Sequence, residues 1–255
     1  MSTLEVTTQG RVARVAFNRP DNHNGVTSAM VIEMYETLSR IARDDGVDVV
    51  VLTGNGRMFC PGADLAAGRD EPRDEAEIPD PVNYQSARLL HDMPQVTVAA
   101  VNGACAGAGM AWASACDLRI ASSAARFSTA FLELGLSSEL GLAWTLQRRL
   151  GGAAARDLCF LPRKLTADEL AHKGFLNAVY PAETFHQDAA TFVDTLAGRG
   201  SHALRTLKRN LLDADALPFG HYLDLESQRH LAMFRGDAGA ETRTRLAAQG
   251  DRVGR

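Results

Sequence analysis

A run of 24 residues without a charged side chain, from Met93 to Cys116, constrains this sequence more than any other feature. Charges are frequent elsewhere: 23% of the 255 residues are Asp, Glu, Lys or Arg, which is one charge every four to five residues. A run of this length is either a membrane-spanning helix or a segment buried so deeply that ions are excluded. The residues within the run distinguish the two.

Polar and small residues inside the run argue against a membrane span. Gln95, Thr97 and Asn102 make it only mildly apolar, and Asn102-Gly103 is a turn signal that would break a spanning helix. The stretch 96–101 is instead a short apolar run rich in β-branched residues, which is typical of a buried strand. The run therefore predicts a buried strand, a glycine-rich turn and a helix from about Gly107.

Composition and charge restrict the class of protein. The chain is 45% apolar with a net charge of −4, an ordinary globular composition without an electrostatic footprint for nucleic acid or an anionic membrane. No two of the four cysteines have the spacing of a zinc knuckle or redox pair, so we interpret them as buried free thiols in a reducing compartment. The first 20 residues lack the apolar core of a signal peptide, and we expect a cytoplasmic protein.

Strands alternate with helices over about 180 residues, which predicts the α/β class with a mostly parallel sheet. The residues from Ala182 onward are helical in pattern, with breaks near 198–200 and at Pro218. We therefore predict a core over 1–199 and a C-terminal helical region over 200–255. The predicted elements are strands at 4–9, 11–18, 47–53, 96–101 and 118–121, and helices at 27–43, 83–92, 141–150 and from Thr166 to His172.

Several common chemistries are absent from the sequence. It contains no HExxH, GxSxG or Walker A motif. Gly107-Ala108-Gly109 follows a predicted strand and suggests dinucleotide binding, but Trp112 stands where the third glycine of GxGxxG is needed. A bulky side chain there disfavours the Rossmann alternative. An acidic, proline-containing stretch over 66–82 predicts an exposed loop that shapes a substrate pocket.

Two glycine turns have the same local pattern. The first turn is Gly62-Ala63-Asp64 and the second turn is Gly107-Ala108-Gly109; each follows a predicted strand and opens a predicted helix. Such turns expose backbone N–H groups, and the helix dipole favours negative charge beside them. Two converging N–H groups would form an oxyanion hole for a carbonyl that gains charge during reaction. The alternative is that both are simply tight turns where packing leaves no room.

Taken together, these features resemble the crotonase (enoyl-CoA hydratase/isomerase) family over nearly the whole chain. The matching segments are Phe17-Asn18-Arg19-Pro20 with Asn24, Val51 to Gly54, Phe59 to Leu65, Ala99 to Gly109, Cys116-Asp117, Phe127, Gly135-Leu136, Gly151 and Ala167 to Gly174. Each is a weak motif, but their order and spacing are specific.

The resemblance implies the fold, the ligand and the assembly. It implies a ββα spiral of repeated βαβ units with a C-terminal helical trimerisation region, as homotrimers or dimers of trimers. It also implies binding of acyl-CoA thioesters, with coenzyme A as part of the substrate and no metal or redox cofactor. The backbone N–H groups of Ala63 and Ala108 would hold the thioester oxygen. The implied substrate-binding residues are Arg19, Gly62, Asp64, Leu65, Gly107 and Phe131.

Two departures from the family pattern concern the reaction. Hydratases of the family are similar in carrying two glutamates, but the matching positions here hold Ala111 and Phe131. Glu133 could share the face of the second position on an alternating strand only if the register slipped. Glu139 matches the position where isomerase-like members carry a single Asp or Glu. The alternative is that Ser138 is an N-cap and Glu139 stabilises the first turn of the next helix.

The sequence therefore favours enoyl-CoA isomerase-type proton transfer by a single carboxylate, Glu139. An atypical enoyl-CoA hydratase and a non-catalytic acyl-CoA-binding homologue remain as alternatives. The basic residue often found before the position of Asn24 is missing from Asp21-Asn22-His23. This leaves Arg19 as the candidate for a contact with a CoA phosphate.

Overall fold

A computed structural model describes residues 2–65 and 79–253. The chain divides into two compact units, Met1–Thr195 and Leu196–Arg255. The elements of the first unit are β1 (Leu4–Gln9), β2 (Val12–Phe17), α1 (Ser28–Ile41), β3 (Val49–Gly54), α2 (Ser86–Asp92), β4 (Val96–Val101), β5 (Ala104–Ala106), α3 (Ala108–Ala115), β6 (Leu118–Ser122), β7 (Arg126–Ser128), α4 (Leu142–Leu150), α5 (Gly152–Phe160), β8 (Leu165–Thr166), α6 (Ala167–His172) and β9 (Ala178–Tyr180). Helix α7 (Phe185–Ala197) crosses the division, and α8 (Ser201–Ala216), α9 (Phe219–Ala232) and α10 (Gly236–Val253) follow.

The first unit contains two sheets. The larger has the strand order β1-β2-β3-β4-β6-β9, and every neighbouring pair is parallel except the hairpin β1–β2. The smaller has the order β5-β7-β8, with β5 and β7 parallel. This arrangement confirms the predicted α/β class and the predominance of parallel pairing.

A repeating corner connects the two sheets. Strands β4 and β6 of the larger sheet each lead within a few residues to a short strand of the smaller one, β5 and β7. After β3 the corresponding segment forms two isolated parallel bridges, Cys60 with Cys105 and Ala63 with Val26. Each repeat therefore contributes one strand to the larger sheet. It also contributes an extended segment that pairs with the extended segment of the next repeat, in or beside the smaller sheet.

The uncharged run Met93–Cys116 is a buried strand, a corner and a buried helix, as predicted. All six residues of β4 and all eight of α3 are buried. The polar side chains have partners: the Gln95 amide donates to the Ile41 carbonyl at 2.9 Å, and the Thr97 hydroxyl donates to the Leu90 carbonyl at 2.9 Å. Across the described ranges, every helix is too short or too polar to cross a bilayer.

Most predicted boundaries agree with the structure to within two or three residues. Thr27 caps α1 by accepting from the Met30 N–H at 3.3 Å, and Thr166 and Glu169 form a reciprocal capping box at α6. Residues 66–78 of the predicted acidic loop lie outside the described residues. The last two residues of that predicted loop are the first two of a 3-10 helix, Pro81–Gln85. A helix after the first turn does not begin by Leu65, and the residues that follow are outside the described ranges.

The cysteines agree with their interpretation as free thiols. No disulfide joins any two of the four; Cys60, Cys105 and Cys116 are buried and Cys159 is half-buried.

The second unit is helical, with the predicted breaks near 198–200 and at Pro218 and an unpredicted one at 233–235. Arg229 joins α9 to α8 by donating to Asp213 at 2.6 Å and Asn210 at 2.8 Å. The predicted division at residue 199 stays an interpretation of the sequence.

Candidate functional site

The two glycine turns contact each other. Gly62 has φ +97° and Gly107 has φ +51°, values that L side chains rarely adopt. A methyl group placed on Gly107 would lie 3.4 Å from the Cα atom of Gly62. Both positions therefore require glycine for conformation and for close approach, and 45 residues of sequence separate two turns that lie side by side.

The first turn is held by its pairing with Val26. The Val26 N–H donates to the Gly62 carbonyl at 2.8 Å, and the Asp64 N–H donates to the Val26 carbonyl at 3.0 Å. Ala63 lies between these two bonds and is exposed. Its N–H donates to no described residue and is available to a ligand.

The second turn lies between β5 and α3. The Gly107 N–H donates to the Ser128 carbonyl at 3.2 Å, and the Gly107 carbonyl accepts from the Ala111 N–H at 3.0 Å as the first bond of the helix. Ala108 is the first helical residue, and its N–H has no acceptor among the described residues. The helix dipole adds partial positive charge at this end, and the first turn of α3 contains no acidic residue to offset it.

Arg19 and Asp64, two of the predicted substrate-binding residues, pair with each other. A guanidinium nitrogen of Arg19 lies 2.9 Å from Asp64 Oδ2, and another donates to the Gly25 carbonyl. Both side chains are largely buried, 19% and 7% exposed. The pair clamps the end of the first turn, and a phosphate contact by Arg19 stays a prediction. Leu65, at the end of the described segment, is 55% exposed.

Glu139 lies near the turns as a half-buried carboxyl group. Burial raises its pKa above the ordinary value, and its charge in turn helps to raise the pKa of Cys60, which lies behind the two turns. No described side chain forms an ion pair or hydrogen bond with its carboxylate. A poorly solvated carboxylate without a partner is a stronger base than an exposed one.

The helix-capping alternative for Glu139 is wrong. Helix α4 begins at Leu142, its N-cap is Gly141, and no side chain caps it. Leu140 and Gly141 both have positive φ, +52° and +72°, so the chain turns sharply between Glu139 and the helix. Ser138 therefore lies too far before the first residue of the helix to be its N-cap.

The two positions that carry glutamates in hydratases are apolar and buried here. Ala111 is fully buried in α3, and Phe131 is 9% exposed, with its ring 4.0 Å from a methyl group placed on Gly107. The strand assumed for Glu133 is wrong, because Phe131–Leu134 is a 3-10 helix on which Glu133 is exposed. Glu133 does not share a face with the turns as an alternating strand would require.

Sequence reasoning missed the contact of Cys60 with the second turn. A methyl group placed on Gly109 would lie 2.2 Å from the Cys60 carbonyl oxygen and 2.8 Å from its Cβ atom, so the start of α3 packs directly on this residue. Burial, the largest cause, raises the pKa of the thiol to about 12. Its position between Phe59 and Pro61 carries no signal of this contact, because Gly109 is 49 residues away in the chain.

The arrangement suits one kind of chemistry. Two free backbone N–H groups stabilise an oxygen on which negative charge develops, and a single carboxyl group of raised pKa can remove and return a proton. The surroundings of the turns are small or apolar, so few polar groups compete for the donors. A carbonyl compound with an acidic α-hydrogen fits this combination.

Known proteins match the chain over nearly its whole length. The profile of the family described as Enoyl-CoA hydratase/isomerase matches residues 7–248. The 1,2-epoxyphenylacetyl-CoA isomerase of Escherichia coli (strain K12) is 33% identical over 221 residues, 84% of either chain. The crystal structure of an enoyl-CoA hydratase from Bacillus anthracis has a TM-score of 0.86 at 25% identity, covering 97% of this chain and 96% of that one. A Thermobifida fusca YX protein in complex with acetoacetyl-CoA has a TM-score of 0.84 at 27% identity, covering 91% and 95%.

Proposed function

The chain belongs to the enoyl-CoA hydratase/isomerase family and has the crotonase fold, and we propose that it is an enoyl-CoA isomerase-type enzyme with a single catalytic carboxylate. One observation carries the proposal: Glu139 is an unpaired carboxyl of raised pKa beside the turns, while Ala111 and Phe131 replace the two hydratase glutamates. The isomerase relative at 33% identity supports a reaction of this kind.

The thioester oxygen accepts hydrogen bonds from the N–H groups of Ala63 and Ala108. These donors are fixed in direction by the turns and need no reorganisation when the oxygen gains charge. They lower the free energy of the enolate relative to the neutral thioester, so that a carboxylate is a strong enough base to form it. CoA thioesters as substrates are consistent with the acetoacetyl-CoA bound by the Thermobifida fusca YX neighbour.

Glu139 removes a proton from one carbon of the acyl chain and returns it to another. The electron pair of the broken C–H bond moves into the conjugated system and onto the thioester oxygen, and it moves back when the proton is delivered at the second carbon. One base suffices because proton removal and return occur in sequence. A hydratase requires in addition a group that activates water, and neither glutamate position supplies one.

The central experiment offers 2-enoyl-CoA and 3-enoyl-CoA esters of several chain lengths to the protein in D₂O. We expect interconversion of the double-bond isomers with deuterium incorporation and no 3-hydroxyacyl product. Formation of the hydroxyacyl ester would favour the atypical hydratase. Measurable binding without isomerisation, hydration or deuteration would favour the non-catalytic acyl-CoA-binding alternative.

Glu139→Gln removes the base while keeping the size of the side chain. We expect kcat to fall by about 10²- to 10⁴-fold, with CoA-ester affinity retained. In the native protein kcat/KM should rise with pH through the raised pKa of Glu139, above its ordinary value of 4.5, because only the ionised form accepts a proton. Full activity in Glu139→Gln would show that another group is the base.

We also propose that the second unit mediates assembly into homotrimers or dimers of trimers. Its helices, and the break between the last two of them, expose large apolar side chains that are unfavourable in water: Leu207, Leu211, Phe219, Leu223, Leu231, Phe234 and Leu246. Light scattering on the purified protein should give three or six times the chain mass, and a monomer at micromolar concentration would contradict this.

A further inference from the structure

Two buried hydroxyl groups join the helix that carries one oxyanion donor to the helix that follows Glu139. The Ser114 hydroxyl of α3 donates to the Thr145 hydroxyl of α4 at 2.6 Å, and the two residues are 0% and 5% exposed. We propose that Ser114 and Thr145 are positioning residues, and that together they fix the Glu139 carboxylate relative to the Ala108 donor. This inference rests on the proposed function, because it concerns the same base and the same oxyanion hole.

The hydrogen bonds of the pair run from α3 to the turn that carries Glu139. Thr145 accepts from Ser114, so its own hydroxyl hydrogen donates within α4. The acceptors are the carbonyl groups of Leu142 at 3.0 Å and Gly141 at 3.2 Å. The Leu142 N–H in turn donates to the Glu139 carbonyl at 3.0 Å. A continuous set of hydrogen bonds therefore joins α3 to the main chain of Glu139.

The turn after Glu139 depends on contacts of this kind. Leu140 has φ +52°, which is uncommon for a residue with a side chain and persists only where the surrounding structure holds it. No side chain caps the helix that follows, and the side chains of Leu140 and Leu142 are buried in the core. Apolar burial is non-directional, whereas hydrogen bonds depend on angle, so the Thr145 hydroxyl is the contact that orients the turn.

Helix α3 carries both ends of the relation. It begins at Ala108, and Ser114 lies six residues further, about 9 Å along the helix axis. All eight residues of α3 are buried, so the helix moves as one body and Ser114 keeps its place relative to Ala108. A base must lie within hydrogen-bond reach of the proton it removes, and a displacement of about 1 Å can cost about 10²-fold in rate. Linking the base to the helix of the donor limits such displacement.

Thr97 provides a matched control outside this connection. Its hydroxyl is fully buried and also donates to a helix carbonyl, that of Leu90 in α2, at 2.9 Å. It accepts from the Asp117 N–H at 2.9 Å as well, so its loss should cost at least as much stability as loss of the Thr145 hydroxyl. Thr97 is the second residue of β4, whereas the second turn lies beyond the other end of that strand. Thr97→Val therefore removes a buried hydroxyl without breaking the connection to Glu139.

The first experiment measures turnover and enolisation separately. Thr145→Val keeps the shape of the side chain without the hydroxyl, and we expect kcat for enoyl-CoA isomerisation to fall about tenfold with KM within twofold. The enolate fraction of bound acetoacetyl-CoA, read from its near-ultraviolet absorbance, should stay within twofold, because this equilibrium depends on the oxyanion donors and not on the rate of proton transfer. Ser114→Ala should give a similar loss of kcat, Thr145→Ser should recover most of it, and Thr97→Val should keep the native kcat.

The second experiment tests whether the pair acts through the base. In the Glu139→Gln background, Thr145→Val should change the residual kcat by less than twofold, because no base is left to position. Ser114→Ala and Thr145→Val combined should lose no more kcat than the larger single loss, since both remove the same hydrogen bond.

The outcomes separate the inference from the function on which it rests. Native kcat in Thr145→Val would overturn the inference, as would a loss that persists in the Glu139→Gln background, an equal loss in Thr97→Val, or a parallel loss of enolisation. If Thr145→Val does not fold, Ser114→Ala breaks the pair from the other helix, and native kcat there would overturn it equally. Each of these results, with Glu139→Gln inactive, leaves the proposed function standing. Full activity of Glu139→Gln would overturn the proposed function and this inference with it.

Discussion

The first turn is held by loops and charged side chains, whereas the second turn lies between a strand and a buried helix. Ala63 is placed by the isolated bridge to Val26 and by the Arg19–Asp64 ion pair that closes the turn. Ala108 is positioned by β5 and by α3. The next residue, Gly109, has no side chain, which allows the helix to pack directly against Cys60. The donor in the first turn, Ala63, is therefore held by polar contacts, whereas the donor in the second turn, Ala108, is held by close packing.

Because their supports differ, the two halves of the hole should respond differently to substitution. Steric exclusion in a close-packed region tolerates almost no added volume, because neighbouring backbone must move to accept it. Shortening one partner of a polar clamp introduces no steric overlap, so we expect a smaller loss there, which comes from the charge that is left largely buried without its partner. Substitutions in the two turns measure this contrast directly.

Gly109→Ala should have the largest effect. The added methyl group would overlap backbone atoms of Cys60, so we expect a loss of about 3 kcal/mol in the free energy of unfolding, measured by urea denaturation, together with most of the activity. Gly220→Ala is the matched control, because nothing lies within 4 Å of its added methyl group in α9. That control should be neutral or stabilising by up to about 1 kcal/mol. Equal stability of the two variants would contradict steric support of the second turn.

Gly62→Ala should have a smaller but clear effect. Its φ of +97° is strained for alanine, and the methyl group would lie 3.3 Å from the Ala106 carbonyl oxygen, a distance that small shifts relieve. We expect about 2 kcal/mol of destabilisation and about a tenfold loss of kcat, because the first donor is displaced. Calorimetry and steady-state kinetics on one preparation would measure both, and unchanged kcat would show that Ala63 is not a donor.

Arg19→Gln tests the polar clamp. We expect about 1.5 kcal/mol of destabilisation and a loss in kcat of about threefold, because Asp64 is left largely buried without its cation. Arg14→Gln serves as the control, since Arg14 is 3.9 Å from Glu5 in an exposed pair that contributes little. An increased KM for the CoA ester with native stability would instead support the predicted phosphate contact of Arg19.

Thr166→Ala, away from both turns, should have the smallest effect on the site. The capping box at α6 is lost, which we expect to cost about 1 kcal/mol of stability without change in kcat. Thr191→Ala, in the middle of α7 with an exposed hydroxyl bonded to Gln187, should stay within about 0.5 kcal/mol of the native protein. A loss of kcat in Thr166→Ala would mean that activity follows overall stability. The losses of kcat in the turn variants could then not be assigned to displacement of the donors.

The sequence allowed prediction of what depends on neighbours in the chain. Periodicity and caps located α1, β4 and α6 closely, and the glycine pattern located both turns. Three-residue strands such as β5 and β7 are too short to show periodicity, and they were missed.

Contacts between distant residues were beyond a single sequence. The pairing of Arg19 with Asp64 joins residues 45 positions apart, so two predicted ligand contacts proved to be partners of each other. The convergence of Cys60 with Gly109 likewise depends on how the repeats stack. Glu139 became a candidate only through family resemblance, and its local structure, a turn before α4, differs from the capping interpretation.

The side-by-side contact of Gly62 with Gly107 has a consequence for the stage of folding at which the site forms. A chain in which only the first repeat has folded holds one donor of the pair, Ala63, and lacks the second. The second donor arrives with the next repeat, and only then does the oxyanion site exist. Binding of an enolisable CoA ester should therefore appear late in refolding, after the bulk of secondary structure, and would report completion of the stacked repeats.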